Sequence, residues 1–313
     1  MTPALANANN GNWQTAKRWS QMLRTHCRVA LLDHWQGEPA DVLVALHARK
    51  SADSIHRWAS CRPRRPLVVV LTGTDLYRDI HVDASARRSL ELADRLVVLH
   101  EGGIEDLPAP YRAKAGTCYQ STPARLPLAK TGQHLRCVMV GHLREEKAPR
   151  TYFEAVRRLG RRHDMWFDHI GAALDPALGA EARDLQRDFP HYRWLGALPH
   201  ATARDRIQRA HVLVHTSRIE GGAHVVMEAI RSGTPVLATR ISGNVGMLGS
   251  DYAGYCEPGD ADGLAAWIER CRDEPAILAQ LSRQCAARAP LFEPERERAT
   301  LLTLIDDLLE KPR

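Results

Sequence analysis

Short apolar runs alternate with longer stretches of helical period from one end of the chain to the other. Runs at residues 28–32, 41–46, 67–71, 96–99 and 117–119 predict strands in the first half, and runs at 136–140, 166–170, 192–195, 212–215 and 236–238 predict strands in the second. Leu67-Val68-Val69-Val70-Leu71 shows no in/out alternation. A strand of that kind is covered on both faces, as in a parallel sheet. Helix-length stretches lie between the runs, at 12–24, 84–92, 151–159, 200–209 and 223–232. Strand and helix in alternation predict a doubly wound α/β fold. Residues 121–134 have no clear period and carry Pro123, Pro127 and Gly132. This stretch marks the boundary between an N-terminal α/β domain at 1–122 and a second at 135–293, with a linker at 123–134. Residues 294–313 read as an amphipathic terminal helix.

Composition narrows the class. A chain of 313 residues is too long for one typical core and fits two domains. No run approaches the roughly 18–20 apolar residues that a membrane helix needs, so no transmembrane segment is expected. Residues 1–12 lack the basic start and apolar core of a secretory signal. The seven cysteines are scattered, without a C-x-x-C pair. That argues against a disulfide framework or zinc knuckle and for a cytoplasmic protein. The net charge of +6 is modest for the length. It reads either as attraction for anionic substrates or as an arginine-rich surface. No basic stretch is interleaved with aromatics, so nucleic acid is not an expected partner. Nothing in the sequence marks an oligomeric state.

In open α/β sheets, ligands bind beyond the carboxyl ends of the strands. The loops to search are therefore 48–51, 72–79, 141–147, 216–222 and 240–246. The richest begins at Thr216 and runs through Glu220, Gly221, Gly222, Ala223, His224 and Val225 to Glu228. Glycines let a ligand approach the backbone, and N–H groups at a helix start attract an anion. A carboxylate can accept from two adjacent hydroxyls. Glu220 and Glu228 flanking an anion site would suit a ligand with a diol on either side of a diphosphate, which is the layout of a nucleotide sugar. After the run 136–140 come Gly141, His142, Arg144 and Lys147. Arg144 and Lys147 could neutralise a departing diphosphate. Each feature alone has a plainer reading: a turn, a solvated lysine, two glutamates eight apart by chance. Their order, each after a buried strand, favours the functional one.

The first half offers a second cluster. His47, Arg49 and Lys50 follow one predicted strand, and Thr72, Gly73, Thr74, Asp75 and Arg78 follow another. Together they suggest a small cationic pocket with hydroxyl donors. Such a pocket fits a small anionic acceptor better than an extended glycan, which usually wants aromatic platforms. His47 alone also reads as a capped or core histidine, and Arg49 or Lys50 as a solvated charge. Asn9, Asn10, Gly11 and Asn12 form a turn cluster before a helix that carries Thr15. It reads either as a ligand loop or as a capped helix start.

Glu220-x7-Glu228, with Gly221-Gly222 inside it and Gly233-Thr234-Pro235-Val236 after, resembles the E-x7-E motif of the retaining glycosyltransferases of the GT-B fold, family-4 type. Residues 141–147 resemble that family's phosphate loop, with His142 in place of its usual arginine. The resemblance implies two Rossmann-like doubly wound domains facing across a cleft, the donor on the second and the acceptor on the first. It implies that Glu220 touches the donor sugar, Glu228 the ribose, and Arg144 and Lys147 the diphosphate. Gly11 and Asn12 fall where the family has its first glycine-rich loop. The family has a strand before that loop, and here only residues 1–8 precede it. Either that strand is very short or the start lies too late.

The strings Asn10-Gly11-Asn12, 45–52, 71–79 and 141–147 are similar to those of the bacterial selenosugar synthases of selenoneine biosynthesis. Members join the sugar of a UDP-sugar, typically UDP-N-acetylglucosamine with UDP-glucose as the other candidate, to selenophosphate through a carbon–selenium bond. On that reading His47, Arg78, Lys147 and Glu220 carry the chemistry. Asn10, Thr15, His47, Arg49, Lys50, Thr72, Gly73, Thr74, Asp75 and Arg78 hold the acceptor. No D-x-D motif lies in a suitable loop, so no metal and no cofactor beyond the donor is expected. The rivals are a family-4 enzyme with a thiol, sugar or lipid acceptor, a UDP-sugar epimerase, and a non-catalytic nucleotide-sugar binder. An epimerase would need acid/base carboxylates in the first domain, where only Asp75 and Asp79 are found. Anomeric stereochemistry is not fixed by the sequence.

Overall fold

The computed structural model describes residues 1–3 and 11–310. Four strands, β1 (Leu43–Leu46), β2 (Leu67–Val70), β3 (Arg95–Val98) and β4 (Ala115–Thr117), form a parallel sheet in the order β1-β2-β3-β4. Six more, β5 (Leu135–Val140), β6 (Met165–Ile170), β7 (Tyr192–Trp194), β8 (Val212–His215), β9 (Val236–Thr239) and β10 (Tyr255–Cys256), form a second parallel sheet in the order β10-β9-β8-β5-β6-β7. The described chain divides into two compact units. One comprises Met1–Ser121, Glu220–Gly222 and Leu291–Arg313, and the other Thr122–Ile219 and Ala223–Pro290.

In the first unit the unalternating run of β2 is explained by cover on both faces. Leu67 and Val69 pack with Ile55, Trp58 and Leu90, which come from the helices Ala52–Cys61 and Ala84–Leu92. Val68 and Val70 pack on the opposite side with Ala16 and Trp19 of the helix Gly11–Leu23, and with Leu301, Ile305 and Leu308 of the terminal helix Pro294–Glu310. The terminal helix is therefore part of the first unit's core rather than a separate appendage.

Residues 28–32, expected as a strand, form no regular strand. Thr2 N–H donates to Leu32 O at 2.9 Å, and Leu46 N–H donates to Met1 O at 3.1 Å. Met1 thus lies along the free edge of β1.

In the second unit β5 and β8 lie side by side, and the strand order reverses between them. This is the topological switch point of a doubly wound sheet, where the loops leaving two adjacent strands diverge and leave a crevice. Aromatic residues Tyr152, Phe153 and Phe167 fill the core beneath β5 and β6. The strand β10 was not expected, because its two residues are too few to show a period.

Candidate functional site

The loops that leave β5 and β8 are joined to each other. Arg218 N–H donates to Glu146 O at 2.9 Å, and the Thr216 hydroxyl donates to Lys147 O at 2.8 Å. Glycines set the backbone close on this side. The Lys147 stem lies over Gly141, where a methyl would sit 3.5 Å from it. At Gly171, after β6, φ is +154° and a methyl would lie 2.0 Å from Gly141 O. His169 Nε2 donates to the same carbonyl at 3.3 Å, while Nδ1 faces the Tyr192 hydroxyl at 3.2 Å. Burial pushes the His169 ring down to about 4, so it serves as a neutral brace. His142 Nδ1 accepts from Ala172 N–H at 3.1 Å, and burial followed by the charges of Arg144 and Lys147 lowers its pKa. The residue in the usual arginine position is thus a neutral ring tied to the loop after β6. Arg144 is exposed, with Nε 4.0 Å from Glu146 Oε2.

The helix that follows β8 is shorter than expected, His224–Ile230 rather than 223–232. Ala223 is extended, and its N–H donates to Met247 Sδ at 3.2 Å. Of the amides expected to receive an anion, that one is already engaged. Glu220 is half-buried, and His224 and Val225 are partly exposed. Glu228 is buried at 3% exposure. Its Oε1 lies 2.5 Å from His200 Nε2 and 3.8 Å from Arg204 Nε. Arg204 is itself buried and donates through Nη2 to Pro123 O at 2.9 Å. His200 and Arg204 were not among the expected site residues. Their signal was the four-residue spacing of a histidine and an arginine at the start of the helix His200–Arg209, which puts both on one face.

Gly221 and Gly222 have a structural role beside any ligand contact. A methyl on Gly221 would lie 2.5 Å from Thr72 O, and one on Gly222 would lie 3.1 Å from Leu99 Cβ.

In the first unit the loops after β1 and β2 meet at one buried carboxylate. Asp75 Oδ1 accepts from the N–H groups of Thr72 and Gly73, each at 2.9 Å, and Oδ2 accepts from Ala48 N–H at 3.0 Å. Asp75 was expected to touch an acceptor; it is fully buried and shapes the two loops instead. Asp79 closes the short π-helix Asp75–Asp79. Its carboxylate accepts from Arg49 Nε at 2.9 Å and Arg78 Nε at 3.1 Å. The two guanidinium groups are thereby brought together, each roughly half-exposed.

His47 is 2% exposed and left-handed, with φ 73°. A buried non-glycine residue in that region is strained and held by its surroundings. Nδ1 accepts from Lys50 N–H at 3.3 Å, so Nε2 carries the proton and donates to the Thr74 hydroxyl at 3.1 Å. Burial lowers the His47 pKa, with Asp75 opposing. The ring is therefore a neutral hydrogen-bond donor. Lys50 itself is exposed.

The N-terminal cluster divides. Asn10 lies outside the described residues. Gly11 is exposed and Asn12 half-buried, at the start of the helix Gly11–Leu23. Thr15, expected at an acceptor site, is buried; its hydroxyl donates to Gly11 O at 2.9 Å and accepts from Gln120 Nε2.

Two α/β units, each built on a parallel sheet, the second with a switch point between β5 and β8 where the glycine-bearing loop 141–147 leaves the sheet, define a GT-B fold. The chain belongs to the family of glycosyl transferases group 1, whose model matches residues 124–290, just over half of the chain. Sucrose synthase of Acidithiobacillus caldus is 29% identical over 152 residues, 43% of this chain and 19% of that protein. Glycogen synthase of Mycobacterium tuberculosis is 28% identical over 177 residues, 53% of this chain and 41% of that protein. The matched stretch is thus less than half of either curated relative. Among solved structures, sucrose-phosphate synthase from Thermosynechococcus elongatus superposes with a TM-score of 0.72 at 17% identity, covering 86% of this chain and 74% of that one. Anabaena HepE in complex with UDP-glucose superposes with a TM-score of 0.68 at 17% identity, covering 85% and 79%.

No helix among the described residues is long and apolar enough to cross a membrane.

Proposed function

We propose that this chain transfers the sugar of a UDP-sugar to selenophosphate, forming a carbon–selenium bond and releasing UDP. UDP-N-acetylglucosamine is the favoured donor and UDP-glucose the second candidate. The observation that carries the donor half is the pairing of the loops after β5 and β8 at the switch point, with Glu228 buried behind them. Family membership supports the same reading, as does the likeness of the fold to a structure holding UDP-glucose. In this scheme Arg144 and Lys147 meet the diphosphate, Glu220 the donor sugar and Glu228 the ribose. Gly141 and the glycines Gly221 and Gly222 keep side chains out of the ligand's path.

The acceptor half rests on the first-unit strings and on the cluster they build. Arg49 and Arg78 offer an anion two adjacent guanidinium groups, which suit the oxygens of a phosphate. His47, neutral and donating through Nε2, orients rather than deprotonates. Little base catalysis is required, because selenophosphate is already an anion. A selenium lone pair forms the bond to the anomeric carbon as the carbon–oxygen bond to UDP breaks and its electron pair leaves with UDP. The phosphoryl group stays on selenium in that step. Water later cleaves the phosphorus–selenium bond to release the selenol.

Incubation with UDP-N-acetylglucosamine, with and without selenophosphate, tests both halves by mass spectrometry. UDP and a selenium-bearing sugar are expected only when selenophosphate is present. UDP release that ignores selenophosphate, with no selenium product, would remove the acceptor assignment and keep the donor one.

A further inference from the structure

Glu228 does not sit alone on its helix. One of its oxygens, Oε1, is held by His200 at 2.5 Å and faces Arg204 Nε at 3.8 Å. Both partners come from one face of the helix His200–Arg209, one turn apart. The other oxygen, Oε2, takes no hydrogen bond from the described residues. Arg204 is anchored from behind by Pro123 O, so it cannot swing away with the carboxylate. His200 stands at the open end of the group, its side chain 56% exposed against 5% for Glu228.

A buried carboxylate with one oxygen fixed and the other unbonded has a single direction in which to accept. We propose that His200 is a positioning residue for the donor: it fixes Glu228 Oε1 so that Oε2 receives the ribose hydroxyls of the nucleotide. The inference rests on the nucleotide-sugar reading above. It adds that the ribose contact of this site depends on a histidine from the helix after β7. Without His200 the Glu228 side chain turns toward Arg204 alone, and the ribose meets a misdirected acceptor. Contacts to the diphosphate are untouched, because neither Arg144 nor Lys147 bonds to His200.

The test compares UDP with 2′,3′-dideoxy-UDP, which lacks the hydroxyls in question, by isothermal titration calorimetry. Wild type binds UDP more tightly than the dideoxy form. His200→Ala weakens UDP binding about tenfold, the size of one hydrogen bond to a charged group, and leaves dideoxy-UDP unchanged. His200→Gln keeps a donor and recovers part of the loss. Equal weakening of both nucleotides, or no weakening of UDP, overturns the role of His200 while wild-type UDP binding still stands. If wild type shows no preference for UDP over the dideoxy form, the ribose contact of Glu228 itself fails and the inference falls with it. His200 is exposed, and thermal unfolding of each variant checks directly that the fold is kept.

Discussion

Gly171 lies just past β6 with φ at +154°, and any side chain there meets Gly141 O at 2.0 Å. Gly141 O is also the acceptor of His169, so the carbonyl cannot retreat without breaking a buried bond. Gly171→Ala is therefore expected to destabilise the protein by about 2–4 kcal/mol and to weaken UDP binding, since the displaced backbone is that of the loop 141–147. Chemical denaturation and nucleotide titration read the two effects. A variant as stable as wild type with unchanged UDP affinity would show that the loop relaxes at no cost. Nothing in the sequence singled out Gly171. A lone glycine after a strand is ordinary, and its constraint comes from a neighbour thirty positions away in the chain.

Between elements, the decisive contact is Glu297. Its carboxylate, on the terminal helix Pro294–Glu310, is 1% exposed. It accepts from Arg18 Nε at 2.8 Å, Trp19 Nε1 at 2.5 Å and Ser121 N–H at 2.9 Å. Two separate segments of the first unit thus converge on a charge carried by a third. Glu297→Ala leaves buried Trp19 and Ser121 donors, and a largely buried Arg18, without their partner. Its expected cost is about 3–5 kcal/mol, read as a lowered denaturant midpoint. Glu297→Gln should lose clearly less, because the amide oxygen still accepts. The amphipathic pattern announced this helix. That it completes the core of the N-terminal unit could not be read from a face of leucines, which says that a partner exists and not which one.

Across the whole molecule, histidines are buried neutral in both units. His100, beside the Tyr77 hydroxyl at 2.7 Å, and His169 are each pushed by burial from the ordinary 6.5 to about 4. Between those values the unfolded chain takes up the protons and the folded chain does not. Stability from these rings is full above pH 6.5 and falls as the pH drops toward 4, by about 3 kcal/mol for each ring. Urea midpoints measured from pH 7 to pH 4 should therefore decline steadily, and His100→Gln should flatten part of the decline. A midpoint constant over that range would mean that these rings protonate without opening the fold.

The alternation of buried strands and helices was enough to predict two parallel α/β units, because a strand covered on both faces must be apolar throughout, as Val68 and Val69 are. The glycines and paired carboxylates at Glu220 and Glu228 were legible for a similar reason: residue type at a fixed spacing after a strand places chemistry at a sheet edge. What the sequence could not determine was how each polar group is engaged. Asp75 and Thr15 looked like ligand contacts and are used by the protein's own backbone and by Gln120, while Asp79, read only as one of the two carboxylates an epimerase could use, draws Arg49 and Arg78 together. His200 reaches Glu228 only because two helices pack with those faces together. A hydrogen bond joins residues across tens of positions in the chain, and local pattern carries no record of that distance; only the folded chain decides which donor meets which acceptor.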